Sequence, residues 1–258
     1  MYDSLCKLLD SIPTFPFIGI ICILFLFIQK SALKLLATNS TYRALCYEKQ
    51  SAVPCHVMTV LVQLFISYMA LVTLWRKDID LLDTSKPKIS PQVITNIATI
   101  YTLKDVAELF FNRKIARTTI VHHICVIMAY LFVLKGVTTD FNVEGFFKCF
   151  VGYAAFTSFT FPYQIYLSLR FFLNRTGIFN TIFKTFAFFS RILCVSVNFS
   201  WQTFYFIKLI TIFYFTGSSA IRLLISGVLY TLCMSAWVRE EWVIISHLRR
   251  KEARYLKT

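Results

Sequence analysis

Long apolar runs alternate with short charged stretches along most of the chain. An α-helix needs about 20 apolar residues to cross the hydrocarbon core of a bilayer. The pattern therefore predicts an all-α fold, a polytopic transmembrane helical bundle with about seven spans. The predicted spans cover residues 14–29, 55–75, 93–111, 118–135, 146–169, 178–200 and 219–238.

Two places in this pattern depart from a simple run of straight helices. Pro54 precedes the second span, where a missing backbone N–H is tolerated, but Pro162 falls inside the fifth span and predicts a kink. The segment 199–216 is apolar enough to be an additional span, a re-entrant segment or an interfacial helix. Lys208 and the aromatic residues around it favour the interface.

The composition strengthens the membrane interpretation. The chain has 57% hydrophobic and 16% charged residues, 27 Phe and a mean hydropathy of +0.63. A soluble domain carries about 25% charged residues. The net charge of +14 is explained by basic loops rather than by a nucleic-acid surface, so no nucleic-acid partner is predicted.

Basic residues also predict the orientation of the bundle. One side holds about twice as many Lys and Arg as the other, and the positive-inside rule makes that side cytosolic. The N-terminus is then lumenal and the C-terminus cytosolic. The predicted divisions are 1–42 (an N-terminal segment with the first span), 43–248 (the transmembrane domain) and 249–258 (a basic cytosolic tail).

The cysteines and the known cofactor motifs add little. Eight Cys are scattered without a CxxC pair, which predicts neither a disulfide framework nor a zinc site. The chain has no G-x-G-x-x-G, P-loop or H-E-x-x-H motif. We therefore expect no tightly bound cofactor and no metal.

Ionisable residues inside predicted spans are the most informative feature, because each needs a partner, a cavity or a function at that depth. With the orientation above, five such residues from three consecutive spans share the cytosolic third of the membrane. They are His56, Asp105, Glu108, His122 and His123.

The spacing of these residues suggests their chemistry. Asp105 and Glu108 are three residues apart and share one helix face. His122 and His123 point about 100° apart on a helix, so they are poorly placed to bind one metal ion. One histidine can face a carboxylate while the other acts on substrate as a general base. An ion-paired network that only holds helices together is an equally good interpretation.

Two further spans carry polar residues. Arg191 lies in the middle of the sixth predicted span, where it can bind a lipid phosphate or pair with Glu108. Ser158 and Gln164 form part of a polar face beside Pro162. Small polar residues in spans are more often helix-packing contacts than sites.

Four segments resemble the TLC-domain family of endoplasmic-reticulum membrane proteins, which includes the ceramide synthases. They are SAVPCH (51–56), IYTLKDVAEL (100–109), IVHHICVIMAYL (120–131) and FFSRIL (188–193). The resemblance covers roughly residues 43–248 and implies a TLC-like bundle active in lipid homeostasis. It adds Tyr101, four residues before Asp105, to the candidate lipid-binding cluster of His56, Glu108, Arg191, Ser158 and Gln164.

The chain also departs from that family. Ser158 stands where members often have Glu, and the acidic motif that follows His-His in ceramide synthases is absent. The resemblance therefore implies a divergent member outside the ceramide-synthase branch, with lipid membrane partners and an endoplasmic-reticulum location.

Three functions remain open at this point. The first is a regulatory or lipid-handling protein of phospholipid or sphingolipid homeostasis. The second is an acyl-CoA-dependent acyltransferase in which His122, His123 and Asp105 are catalytic and acyl-CoA is a co-substrate. The third is a cargo receptor or transporter. Assembly into a homo- or hetero-oligomer is compatible with each of them.

Overall fold

The structure is a computed structural model that describes residues 1–76, 78, 89–113, 115–138, 152–173, 177–216 and 220–249. Within these residues the regular secondary structure is entirely helical, which confirms the all-α prediction. The helices are α1 (Tyr2–Ser11), α2 (Thr14–Leu36), α3 (Ser40–Arg43), α4 (Tyr47–Trp75), α5 (Pro91–Phe111), α6 (Arg117–Thr138), α7 (152–158), α8 (Phe161–Leu169), α9 (Ile178–Thr216) and α10 (Ala220–Arg249).

Among the residues that the structure describes, three helical segments are long and apolar enough to cross a bilayer. They are α2, α4 and the part of α9 from Ile178 to Phe204, with mean hydropathies of 2.0, 2.1 and 1.4. The outward face of α2 exposes large apolar side chains, and Phe15 is 88% exposed. A continuous apolar surface of this kind is stable against lipid rather than water.

Six of the longer elements close into a ring. Going around it, α4 contacts α8, α8 contacts α9, α9 contacts α10, α10 contacts α6, α6 contacts α5, and α5 returns to α4. Helix α2 packs outside this ring against α4 and α5. The interior of the ring is therefore shielded from the surrounding medium at its sides.

One end of the ring is covered by α1, which the sequence did not predict. The hydroxyl of Tyr2 lies 2.9 Å from Thr73 Oγ1 near the end of α4. The amide of Asn96, fully buried in α5, donates to the carbonyl oxygens of Leu9 and Ile12 at 2.7 and 2.9 Å. These bonds satisfy carbonyl groups at the end of α1 and fix it across the bundle.

Helix α4 begins eight residues earlier than predicted, so Pro54 lies inside it. A proline there cannot donate to the carbonyl oxygen four residues before it, which belongs to Gln50. The hydroxyl of Tyr42 donates to that oxygen at 2.7 Å. The tyrosine thus replaces the missing hydrogen bond, and the helix continues through the proline.

The fifth predicted span is interrupted rather than kinked. Helix α7 ends at Ser158, Phe159 and Thr160 form a turn, and α8 begins at Phe161 with Pro162 in its first turn. The first turn is the position where a proline costs least. The predicted start of this span at 146–151 lies outside the described residues.

The segment 199–216 is not a separate helix, because it continues α9 without a break. Helix α9 has 39 residues, and at 1.5 Å per residue it is about 58 Å long. That length exceeds the hydrocarbon core of about 30 Å. Helix α10 also extends to Arg249, well past the predicted end at 238. The side chain of Lys208 and the basic tail 250–258 lie outside the described part of the chain.

Replacing Gly152 in α7 by alanine is expected to destabilise the bundle. A Cβ atom at Gly152 would overlap the indole of Trp201 on α9, with Cδ1 only 2.8 Å away. Overpacking of this kind costs roughly 1–3 kcal/mol. Gly19 in α2 is the matched control, since a Cβ there meets nothing within 4 Å. Thermal unfolding in detergent should show a lower midpoint for Gly152→Ala and an unchanged or raised one for Gly19→Ala.

Candidate functional site

A polar cavity of about 320 Å³ lies inside the helix ring. Helices α4 to α10 all contribute to its wall. The chain has four histidines in total, and all four line this cavity: His56, His122, His123 and His247. The volume is within the range of small-molecule sites, roughly 300–1,000 Å³.

Helix α5 presents one polar stripe to the cavity. Tyr101, Lys104, Asp105, Glu108 and Asn112 follow the spacing of a single helix face and all line the wall. Asp105 is fully buried, and Lys104 and Glu108 are 5% and 8% exposed. The ammonium of Lys104 is bonded to the carboxylate of Asp105.

His123 joins α6 to this stripe. Its Nδ1 lies 3.3 Å from Asp105 Oδ1, and its Nε2 lies 3.5 Å from Glu108 Oε2. Each ring nitrogen of His123 therefore faces a carboxylate oxygen. Lys104, together with His123 when it is protonated, balances the charges of the two carboxylates.

His122 has different neighbours, although its ring centroid is only 5.7 Å from that of His123. Its Nε2 lies 3.1 Å from the hydroxyl of Tyr153 in α7. Its Nδ1 lies 3.7 Å from Glu240 Oε2 in α10. The two adjacent histidines thus belong to two separate sets of partners.

Helix α10 contributes a second stripe that the sequence analysis missed. Trp237, Glu240, Glu241, Ile244 and His247 share one face and line the cavity. A sequence signal existed, since Glu240 and Glu241 are the only acidic residues between Glu144 and Glu252.

Arg191 faces the interior, as expected for a cation in a span, but its predicted partner is wrong. Its guanidinium is bonded to the carboxylate of Glu241 rather than Glu108. The guanidinium carbon also lies 4.6 Å from the ring centroid of Tyr163, a cation–π distance. Arg191 and Glu241 are 7% and 3% exposed, so this is a buried pair.

The remaining predicted residues divide into those inside and outside the cavity. His56 and Gln164 line it, and His56 Nδ1 lies 2.9 Å from Gln164 Oε1. Tyr101 also lines it, with its hydroxyl 3.1 Å from Thr157 Oγ1. Ser158 does not: its hydroxyl donates to the carbonyl oxygen of Ala154 in its own helix at 2.6 Å. It contributes helix packing instead.

Three potential metal ligands do meet in the cavity. One ligand atom each from Asp105, His122 and His123 lies within 4.8 Å of the others. The adjacent histidines therefore approach one point more closely than the 100° argument predicted. However, the Lys104 ammonium already binds Asp105, and a metal ion there would have to compete with that cation.

The cavity opens at the end of the ring opposite α1. The exposed residues Glu48, Lys49 and His247 line it at the ends of α4 and α10. Other basic residues surround this end at helix termini, namely Arg43, Arg113, Arg117, Arg170 and Arg249. The deep wall is aromatic and includes Trp237, which is 1% exposed.

Comparison with known proteins gives no independent assignment. No protein-family model, no curated protein and no solved structure matches the chain.

Proposed function

We propose that this chain is a membrane-embedded acyltransferase of lipid homeostasis. It transfers an acyl group from a thioester donor, acyl-CoA, to an amine or hydroxyl group of a membrane lipid. The observation that carries the proposal is the polar cavity whose wall holds His122 and His123, each with a carboxylate oxygen within 3.7 Å of a ring nitrogen. A histidine with a carboxylate partner is the usual arrangement of a general base.

The required chemistry matches the groups in the cavity. The base takes a proton from the acceptor N–H or O–H while the heteroatom attacks the acyl carbon. The carbon–sulfur bond then breaks, and the proton passes to the departing thiolate. His122 and His123 are the candidate bases, and the paired carboxylates and cations around them hold their positions in a cavity that the helix ring encloses at its sides.

The one-sided opening supports a soluble donor and a buried acceptor. We propose that the open end, with its ring of Lys and Arg, is cytosolic, following the positive-inside rule. The N-terminus is then lumenal and α1 covers the lumenal end. The resemblance to the TLC-domain family supports an endoplasmic-reticulum location, a bundle of about seven spans and membrane lipids as the partners.

A purely regulatory role is the alternative that the cavity favours less. A structural histidine pair needs partners but not an open cavity, whereas four histidines around 320 Å³ of polar space leave room for a substrate. The transporter alternative gains no particular support from the one-sided opening.

The test is lipid analysis of cells that lack the protein. We expect the wild-type chain to restore a defined acylated lipid class and the His122→Ala/His123→Ala double variant to leave it unrestored. General-base catalysis contributes about 10²–10⁴-fold in rate, so the loss should be nearly complete. Expression and localisation of each variant are checked in the same cells.

A matched control separates chemistry from folding. Thr99→Val/Tyr130→Phe removes a buried hydrogen bond between the same two helices, α5 and α6, without altering the cavity wall. This variant should restore the lipid class as the wild type does. If the histidine double variant restores the lipid class as well as the wild type does, the enzymatic proposal is wrong.

A further inference from the structure

Glu240, His122 and Tyr153 lie next to one another on three different helices. The Tyr153 hydroxyl lies 3.1 Å from His122 Nε2, and His122 Nδ1 lies 3.7 Å from Glu240 Oε2. All three residues line the cavity. His122 itself is 7% exposed, and its Nδ1 has no hydrogen-bond partner within reach.

This arrangement distinguishes the two histidines. Both nitrogens of His123 face carboxylate oxygens of α5, which leaves neither free for a substrate. His122 has one nitrogen toward a carboxylate and the other toward a hydroxyl. A carboxylate, an imidazole and a hydroxyl in this order are the elements of a catalytic triad, which is defined by geometry rather than by sequence position.

We propose that Glu240, His122 and Tyr153 form a proton-relay triad in which Tyr153 contacts the substrate, His122 is the base and Glu240 positions His122. The inference rests on the proposed acyltransfer and names the path of its proton. As the acceptor heteroatom bonds to the acyl carbon, its proton moves to Tyr153 Oη, and the Tyr153 proton moves to His122 Nε2. The carbon–sulfur bond breaks, and the proton returns along the same path to the thiolate.

The surroundings hold each member in place. The Tyr153 ring stands edge-on between Tyr101 and Trp237, with centroid distances of 6.5 and 6.0 Å. A ring fixed on both sides keeps its hydroxyl directed at His122. The Glu240 carboxylate, 3.7 Å from Nδ1, favours the ring proton of His122 on that nitrogen, so that Nε2 can accept from Tyr153. The 3.7 Å separation is longer than a hydrogen bond, and catalytic contacts commonly tighten when substrate binds.

The charged groups around the relay keep it separate from the other pairs. Lys104 is bonded to Asp105, and Arg191 is bonded to Glu241. Glu240 is thus the carboxylate on α10 that faces a histidine rather than an arginine. This division gives Glu240 and its neighbour Glu241 different roles despite their adjacency.

The experiment measures acyl transfer by the purified full chain in nanodiscs, with radiolabelled acyl-CoA and a total-lipid extract as acceptor. Tyr153→Phe removes only the hydroxyl and should lower kcat about 100-fold or more while KM stays nearly constant. Glu240→Gln should lower kcat in the same way, and Glu240→Asp, which keeps the charge, should retain part of it. Tyr130→Phe removes a buried hydroxyl of α6 outside the cavity and should behave as wild type.

A second readout does not depend on activity. Hydrogen–deuterium exchange at the imidazole C2 position, followed by mass spectrometry, reports the state of each histidine. We expect Tyr153→Phe and Glu240→Gln each to change the exchange rate of His122 and to leave that of His247 unchanged.

The outcomes separate the triad from the proposed function. An active wild type with an equally active Tyr153→Phe variant overturns the triad and leaves the acyltransferase proposal standing. An inactive wild type defeats the acyltransferase proposal, and the exchange data then decide on the triad. Unchanged exchange at His122 in both variants overturns it, while a change in both supports the three residues as one hydrogen-bonded unit.

Discussion

Replacing Arg191 by methionine is expected to lower the free energy of unfolding by about 3–5 kcal/mol. The guanidinium is bonded to Glu241, and both side chains are buried at the contact between α9 and α10. Methionine fills similar volume but leaves the Glu241 carboxylate without a counter-ion in a poorly hydrated environment. For a chain of this size the unfolding midpoint should fall by roughly 10 °C, measured by tryptophan fluorescence in detergent.

The double variant Arg191→Met/Glu241→Gln tests whether the unpaired Glu241 carboxylate causes the loss of stability. Because it removes both charges, it should recover most of the lost stability, since a buried pair is often replaceable by uncharged side chains. Arg239→Met is the matched control, as Arg239 is exposed on α10 beside the pair. An Arg191→Met variant as stable as wild type would mean that the unpaired Glu241 is hydrated or protonated in the folded protein.

Helix periodicity and loop length explain why part of the site could be predicted. Helix α5 ends at Phe111 and α6 begins at Arg117, so residues equally distant from this short connection lie at the same depth. Asp105 is six residues before the end of α5, and His123 is six residues after the start of α6. Their approach to 3.3 Å follows from that hairpin and from one helix face each.

The residues that α10 contributes to the cavity wall could not be predicted from helix periodicity and loop length. Arg239, Glu240 and Glu241 lower the local hydropathy, so the apolar pattern ends at 238 although the helix continues to Arg249. Glu241 is tolerated inside the bundle only because Arg191, fifty residues earlier in the chain, bonds to it. Such pairing of buried charges depends on tertiary packing, and the hydropathy of a single segment does not predict it.

The sequence also contains a signal for the full length of α9, which local hydropathy does not show. No Pro or Gly occurs between 178 and 216, while Gly177 and Gly217 flank the segment. Since glycine and proline are the residues that most strongly end helices, their absence indicates one continuous helix. The prediction of a separate interfacial segment gave more weight to Lys208 than to this absence.

The two adjacent histidines are expected to fail in different ways when each is replaced by glutamine. His123→Gln should cost about 3 kcal/mol of stability, because Asp105 and Glu108 lose the cation that lies between them. His122→Gln removes a ring whose partners are a hydroxyl and a more distant carboxylate. It should change stability by about 1 kcal/mol, the size of one hydrogen bond.

The losses of activity should follow the opposite order, with the larger loss in His122→Gln. In the proposed mechanism, His122→Gln should lower the rate of acyl transfer about 100-fold or more, because it removes the proposed general base. His123→Gln, assayed well below its lowered unfolding midpoint, should keep a larger share of the activity, since its nitrogens face protein carboxylates rather than substrate. Both variants are measured in nanodiscs for unfolding midpoint and for product formation. A reversed order, with His123→Gln inactive but stable, would move the catalytic role from the Glu240 side of the cavity to Asp105 and Glu108.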